Sequence, residues 1–91
     1  MATYTMNYDE ISRQHGQLTQ QLDELSRVLD DMVGIQENML SAAQWSTEDK
    51  DEFTNRFNAF IQGGRQLYTT GMSEAETLRK VGETYLQAEQ R

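Results

Sequence analysis

The sequence predicts an all-α fold: an antiparallel helix-turn-helix hairpin, with two hairpins pairing into a four-helix bundle. Three observations lead to this prediction. The 91 residues contain no proline, so the strongest helix breaker is missing. Apolar residues recur at heptad spacing in two long stretches. A short segment that contains the only tryptophan separates these stretches, and helices joined by so short a turn pack antiparallel.

The first helix is predicted from about residue 7 to residue 43. Asn7, with Glu10 three residues later, is typical of a capping box at a helix start. Two heptad series then form a seam: Ile11, Leu18, Leu25, Met32 and Met39 in one, and Tyr8, His15, Leu22, Leu29, Gln36 and Ala43 in the other. Val28 and Ile35 widen the seam on one side, and Val33 and Leu40 on the other, which is typical of a helix with more than one neighbour.

The turn is predicted at residues 44–47, within the stretch AAQWSTEDKDEF. Its motif is Trp45, Ser46 and Thr47, where either hydroxyl residue can cap the second helix. The acidic residues that follow suit the positive end of a helix dipole. We expect the indole ring of Trp45 to cover the helix ends at the hairpin tip.

The second helix is predicted from residue 47 to about residue 88. Its seam is predicted to be Phe53, Phe57, Phe60, Gly64, Leu67, Gly71, Leu78, Val81, Tyr85 and Ala88, widened by Ile61, Tyr68 and Ala75. Gly64 and Gly71 are expected to receive large side chains from the facing helix. A kink at Gly63 and Gly64, or a break near Gly71 with a third helix capped by Ser73, is the alternative.

A two-helix hairpin leaves one side of each helix in water, and we expect that side to carry Val33, Leu40, Ile61 and Tyr68. Burying one Leu-sized side chain is worth about 1.5–3 kcal/mol, so the pattern predicts a dimer. The residues predicted to form the hairpin and dimer interfaces are Ile11, Leu18, Leu22, Leu25, Leu29, Met32, Val33, Leu40, Phe53, Phe57, Phe60, Ile61, Leu67, Tyr68 and Leu78.

Composition argues against several other classes of protein. Cysteine is absent and His15 is the single histidine, so no metal site, cofactor or catalytic residue is predicted, and we expect a non-enzymatic protein. The net charge of −7, without a basic run, argues against nucleic acid as a partner. No apolar stretch suggests membrane insertion, and the start MATYTMNYDE lacks the features of a cleaved signal peptide.

These residues resemble the small WXG family of type VII (ESX) secretion proteins, the early secreted antigenic target-like proteins. Trp45 falls at the turn, Phe53 lies eight residues after it, and YLQAE, from Tyr85 to Glu89, fits the family's C-terminal Tyr-Xaa-Xaa-Xaa-Asp/Glu export motif. The length and the absence of cysteine also match. The turn reads Trp-Ser-Thr instead of Trp-Xaa-Gly, so the chain looks like a divergent member.

The resemblance implies a secreted substrate or export partner that acts as a homodimer or heterodimer of hairpins. Tyr85 and Glu89 would be the export signal read by an FtsK-like secretion ATPase, with the partner's turn around Trp45 completing the surface. The protein would leave a Gram-positive cell without a cleaved signal peptide. Two alternatives stay open: an adapter or chaperone for the helical N-terminal domain of a larger effector, and a coiled-coil scaffold unrelated to secretion.

Overall fold

The computed structural model describes residues 7–90 as two α-helices that pack side by side in opposite directions. Helix α1 spans Tyr8–Ala42 and helix α2 spans Thr47–Glu89, joined by residues 43–46. The hairpin measures 68 × 22 × 19 Å. It confirms the predicted all-α hairpin, and the helix ends differ from the predicted ones by single residues. The outermost parts of the predicted domain, residues 1–6 and 91, lie outside the described residues.

Both helices begin at the caps that the sequence predicts. The Asn7 side chain accepts a hydrogen bond of 2.9 Å from the backbone N–H of Glu10. The Glu10 carboxylate does not complete the capping box, because it binds Arg13 and Gln14 instead. At the start of α2, Ser46 is the cap and accepts from the Asp49 N–H at 3.1 Å, which resolves the choice between Ser46 and Thr47.

Helix α2 runs unbroken past the glycines, so the alternative of a third helix after Gly71 is wrong. A glycine inside a helix costs only about 1 kcal/mol relative to alanine, and packing against α1 offsets that cost. None of the described glycines has a positive φ angle, so each continues the helix instead of ending it.

Large side chains of α1 pack against glycines of α2. A methyl group added at Gly64 would meet Leu29, one at Gly71 would meet Leu22, and one at Gly82 would lie 3.0 Å from Ile11. All three α1 side chains are buried. The predicted role of Gly64 and Gly71 as contact points is therefore confirmed, and the three pairs let the helix backbones approach closely.

The rotation of α2 about its axis corrects the predicted seam. Phe60, Leu67, Val81 and Tyr85 were expected in the seam, and they are 57%, 62%, 41% and 40% exposed. The buried residues of α2 are Ile61, Ala75 and Gly82. Ile61 and Ala75 were predicted to lie beside the seam, so the buried side of α2 is rotated toward them, while the glycines still receive the large side chains of α1.

The prediction that Ile61 lies on the side facing water is wrong. Ile61 is buried, and Val33, Leu40 and Tyr68 are half-buried beside the seam. In the predicted seam of α1, Ile11, Leu22, Leu29 and Gln36 are buried, whereas Met39 is 44% exposed.

Candidate interaction surface and turn

One face of the hairpin is polar and is marked by an ion pair between the two helices. A nitrogen of the Arg65 guanidinium lies 3.2 Å from a carboxylate oxygen of Asp30. Arg79 lies on the same face and binds Glu76 and Glu83 within α2. Because these side chains are largely exposed, the pairs contribute little stability. The contact between Asp30 and Arg65 shows that the sides of α1 and α2 that carry these two residues lie on the same face of the hairpin.

The opposite face carries the exposed apolar side chains. Val28 precedes Asp30 by two residues and Leu67 follows Arg65 by two, and two residues turn a helix by about 200°. Both side chains therefore lie away from the ion pair, on a common side. The same reasoning places the large exposed apolar residues together on what we call the apolar face: Val28, Ile35, Met39, Phe60, Leu67, Val81 and Tyr85.

Met72 is the exception among the exposed apolar side chains. It is 37% exposed and lies seven residues after Arg65, so it projects from the polar face. The apolar face contains much larger exposures, up to 62% at Leu67. Exposed apolar surface is therefore concentrated on one side of the hairpin, as in proteins that bind a partner there.

The apolar face is uneven along the hairpin. Near the turn, both helices contribute to it, through Val28, Ile35 and Met39 of α1 and Phe60 and Leu67 of α2. Toward the open end, the corresponding positions of α1 are the glutamines Gln14, Gln17 and Gln21. Only α2 stays apolar there, with Leu78, Val81 and Tyr85. The half nearest the turn therefore offers the wider apolar surface.

Trp45 closes the tip of the hairpin. Its indole N–H donates a hydrogen bond of 3.1 Å to the carbonyl of Met39, near the end of α1. Its ring stacks on Phe53 of α2, with the ring centres 5.2 Å apart and the planes inclined by 15°. The side chain thus joins the end of α1 to the start of α2, which confirms the expected covering role.

An aromatic row leads from the tip onto the apolar face. The rings of Phe53 and Phe57 are 5.6 Å apart, and those of Phe57 and Phe60 are 6.0 Å apart. These separations lie in the range where aromatic pairs attract each other. Trp45 and the exposed ring of Phe60 therefore belong to one contiguous aromatic surface.

The turn motif does not require glycine at Thr47. Thr47 is the first residue of α2, and Ser46, which precedes it, has extended backbone angles. No non-glycine residue between 7 and 90 has a positive φ angle. A β-branched residue therefore fits at position 47 without strain.

Tyr85 and Glu89 lie one turn apart at the C-terminal end of α2. The Tyr85 side chain is 40% exposed on the apolar face. The Glu89 carboxylate points to α1 and accepts a hydrogen bond of 2.9 Å from the backbone N–H of Tyr8. The structure thus leaves the ring accessible and places the carboxylate in a contact between the helices.

The two polar residues of the α1 seam have different surroundings. Gln36 is 7% exposed, and its amide donates a long hydrogen bond of 3.5 Å to the Asn58 side chain. His15 lines a cavity of about 200 Å³ at the open end, together with Arg79 and Gly82. The hydrogen bond from Arg79 holds the pKa of Glu76 below its ordinary value. Arg79 also pairs with Glu83, which lines the same cavity.

Within residues 7–90, no set of three His, Cys, Asp or Glu side chains is placed to hold a metal ion. In the same range, neither helix is long and apolar enough to cross a membrane.

Comparison with known proteins identifies no relative: no family model matches the chain, and no curated protein or solved structure matches it either. The resemblance to the WXG family therefore rests on the quoted residues, and membership is a proposal.

The predicted interface set omits residues that the structure assigns to the apolar face or to the core. Those on the apolar face are Val28, Ile35, Met39, Val81 and Tyr85, and those in the core are Gln36, Ala75 and Gly82. A signal existed for Val28 and Ile35, which flank the α1 seam seven residues apart. The signal for Gly82 was its place eleven residues after Gly71, three turns along the same side of the helix.

Proposed function

We propose that the protein is a non-enzymatic helical-hairpin substrate or export partner of a type VII secretion system. In this proposal it pairs with a second helical hairpin through the apolar face and carries its export signal at Tyr85 and Glu89. The observation that carries the proposal is the separation of the hairpin into one polar face and one apolar face. In an isolated hairpin, the exposed side chains of Phe60, Leu67 and Ile35 would stay in water on one side.

The energy of covering the apolar face supports pairing. Each large apolar side chain that leaves water contributes about 1.5–3 kcal/mol. Bringing two molecules together costs about 4–15 kcal/mol. The side chains of the apolar face are 40–62% exposed, so covering each one recovers part of that burial energy, and the sum over two hairpins is of the same order as the cost. A four-helix bundle is the simplest product, because it buries the same face of each partner.

The positions of the tip and the open end support the proposed signal. In a bundle of two antiparallel hairpins, the tip of one hairpin lies beside the open end of the other. Trp45 of the partner would then lie near Tyr85, and a secretion ATPase would read the combined surface. Tyr85 is suited to this role because its ring lies five turns after Leu67 on the same exposed side of α2.

Replacing Tyr85 by alanine tests the signal. We expect Tyr85→Ala to abolish secretion from a Gram-positive host with a type VII system, while the purified variant pairs as the parent does. Val81→Ala is the matched control, because Val81 lies one turn earlier on the same face with nearly the same exposure. Immunoblots of medium and cells measure export, and light scattering measures pairing.

Two results would contradict the proposed signal. Equal export of both variants would show that Tyr85 carries no signal. A Tyr85→Ala variant that no longer pairs would show that the ring belongs to the interface between hairpins instead.

The uneven apolar face favours a second candidate, an adapter that binds the helical N-terminal domain of a larger effector. In the tip-to-open-end bundle of two identical hairpins, the wide half of each apolar face lies against the narrower half of the other, where α1 carries glutamines. A different helical partner can present an apolar surface of equal width along the whole face. The mass of the complex purified from the native host distinguishes the candidates, since an adapter co-purifies with a longer chain.

A further inference from the structure

The hydrogen bond between Tyr8 and Glu89 joins the two ends of the described chain. The donor is the backbone N–H of the first residue of α1, and the acceptor is a carboxylate oxygen of the last residue of α2, 81 positions away. The first N–H groups of any helix lack partners within that helix. In α1, Asn7 binds the N–H of Glu10, and Glu89 binds that of Tyr8.

The electrostatics of the helix ends favour this placement of Glu89. A carboxylate at the C-terminal end of its own helix meets the negative end of the helix dipole. The last turn of α2 contains no basic side chain that would compensate for this. The start of α1 is the positive end of its dipole and lies beside α2 in the antiparallel hairpin. The Glu89 carboxylate is therefore stabilised by α1 and not by α2.

We propose that Glu89 is a latch: the first turn of α1 holds its carboxylate in the resting hairpin and releases it to the partner that reads the C-terminal end. The inference rests on the proposed function, in which Tyr85 and Glu89 form the export signal. A secretion ATPase that binds both residues can contact the exposed Tyr85 ring directly. To bind the Glu89 carboxylate, it must compete with the Tyr8 N–H. The stability of the first turn of α1 therefore determines how easily the secretion ATPase binds Tyr85 and Glu89.

Hydrogen exchange tests the latch without reference to secretion. Glu89→Ala removes the acceptor, and we expect the Tyr8 amide to exchange about two- to fivefold faster, which is the factor for a charge at a helix N-terminus at low salt. Glu74→Ala is the control, because it removes an equal charge from an exposed position earlier on α2. An unchanged Tyr8 exchange rate in Glu89→Ala, or an equal increase in Glu74→Ala, would overturn the latch.

Asn7→Ala tests release while the signal stays intact. This variant removes the acceptor for the Glu10 N–H, so the first turn of α1 loosens and Tyr85 and Glu89 are unchanged. If the latch operates, we expect export of Asn7→Ala to be about two- to thirtyfold faster than that of the parent, which is the factor that corresponds to the stability a helix cap contributes. Slower or unchanged export would overturn the latch.

Export and hydrogen exchange together distinguish a failure of the latch from a failure of the proposed function. If Tyr85→Ala and Glu89→Ala are both exported normally, the proposed signal is wrong, whatever the exchange rate of Tyr8. If Tyr85→Ala abolishes export and Glu89→Ala leaves Tyr8 protected, the signal is right and the latch is wrong.

Discussion

Trp45 supplies two different interactions from one side chain. Its N–H donates to the Met39 carbonyl near the end of α1, which also accepts a hydrogen bond from the backbone N–H of Ala43. Its ring stacks on Phe53, which lies on the other helix. The first interaction depends on the indole nitrogen and the second on an aromatic surface, so substitutions can separate them.

Trp45→Phe and Trp45→Ala are expected to destabilise the hairpin by different amounts. Phenylalanine keeps the stacking and loses the hydrogen bond, for a loss of about 1 kcal/mol in the free energy of unfolding. Alanine loses the stacking and most of the apolar contact as well, for a total of about 3 kcal/mol. Urea unfolding followed by circular dichroism at 222 nm gives both values. Equal losses in the two variants would show that the ring contributes nothing beyond its hydrogen bond.

At the scale of the helices, the packing of α1 on α2 depends on pairs of large and small residues. Leu29 lies against Gly64 and Leu22 against Gly71. Gly63, next to Gly64, has no atom within 4 Å of the place where a methyl group would be added. These adjacent glycines share the same helix and the same neighbours in sequence, so they form a natural comparison.

Gly63→Ala and Gly64→Ala are expected to change stability in opposite directions. Both gain about 1 kcal/mol of helix propensity. In Gly64→Ala the new methyl group displaces the buried Leu29 side chain, and overpacking of this kind costs about 1–3 kcal/mol. Denaturant unfolding at fixed protein concentration measures the difference. Gly34→Ala, at an open position of α1, should behave as Gly63→Ala does, and a stabilised Gly64→Ala would contradict the packing described here.

The helices themselves could be predicted from the sequence, but the rotation of α2 could not. The absence of proline, the cap residues and the heptads of α1 suffice for the ends of both helices and for the buried face of α1. In α2 the apolar stripe is wide, and its largest members, Phe60 and Leu67, lie beside the seam. The pattern within α2 predicts Gly64 and Gly71 as contact points, but it does not reveal which side of the wide stripe is buried, because that depends on the leucines of α1.

The candidate site could be predicted only in part, because some of its contacts depend on how the two helices pack. The position of Trp45 follows from its place between the helices. The direction of its N–H and the contact of Glu89 with Tyr8 depend on how the hairpin closes. Contacts between residues 81 positions apart require the register of the two helices, which the heptads leave uncertain by a turn.

At the scale of the whole molecule, a charge added to the apolar face is expected to weaken pairing, whereas a charge added to the polar face is not. Leu67→Glu places a carboxylate in the centre of the apolar face, where pairing would bury it. We expect pairing to weaken by about 10- to 150-fold, since the lost burial of a leucine side chain is worth about 1.5–3 kcal/mol. Light scattering across a concentration series measures the change.

Met72→Glu is the matched control for this prediction, because it adds the same charge to the same helix on the polar face. We expect it to pair as the parent does. A parent protein that is monomeric at micromolar concentration, or a Met72→Glu variant that dissociates as Leu67→Glu does, would contradict the assignment of the apolar face.

The elongated shape of the hairpin has a consequence for how its assembly is measured. The radius of gyration is 20.3 Å, whereas a compact domain of this length has one of about 12 Å. A rod meets more friction in water than a sphere of the same mass, so a single hairpin passes through a gel-filtration column ahead of globular standards of 10.5 kDa. Elution volume alone would therefore report a pair where only one chain is present, and only a shape-independent mass can count the copies.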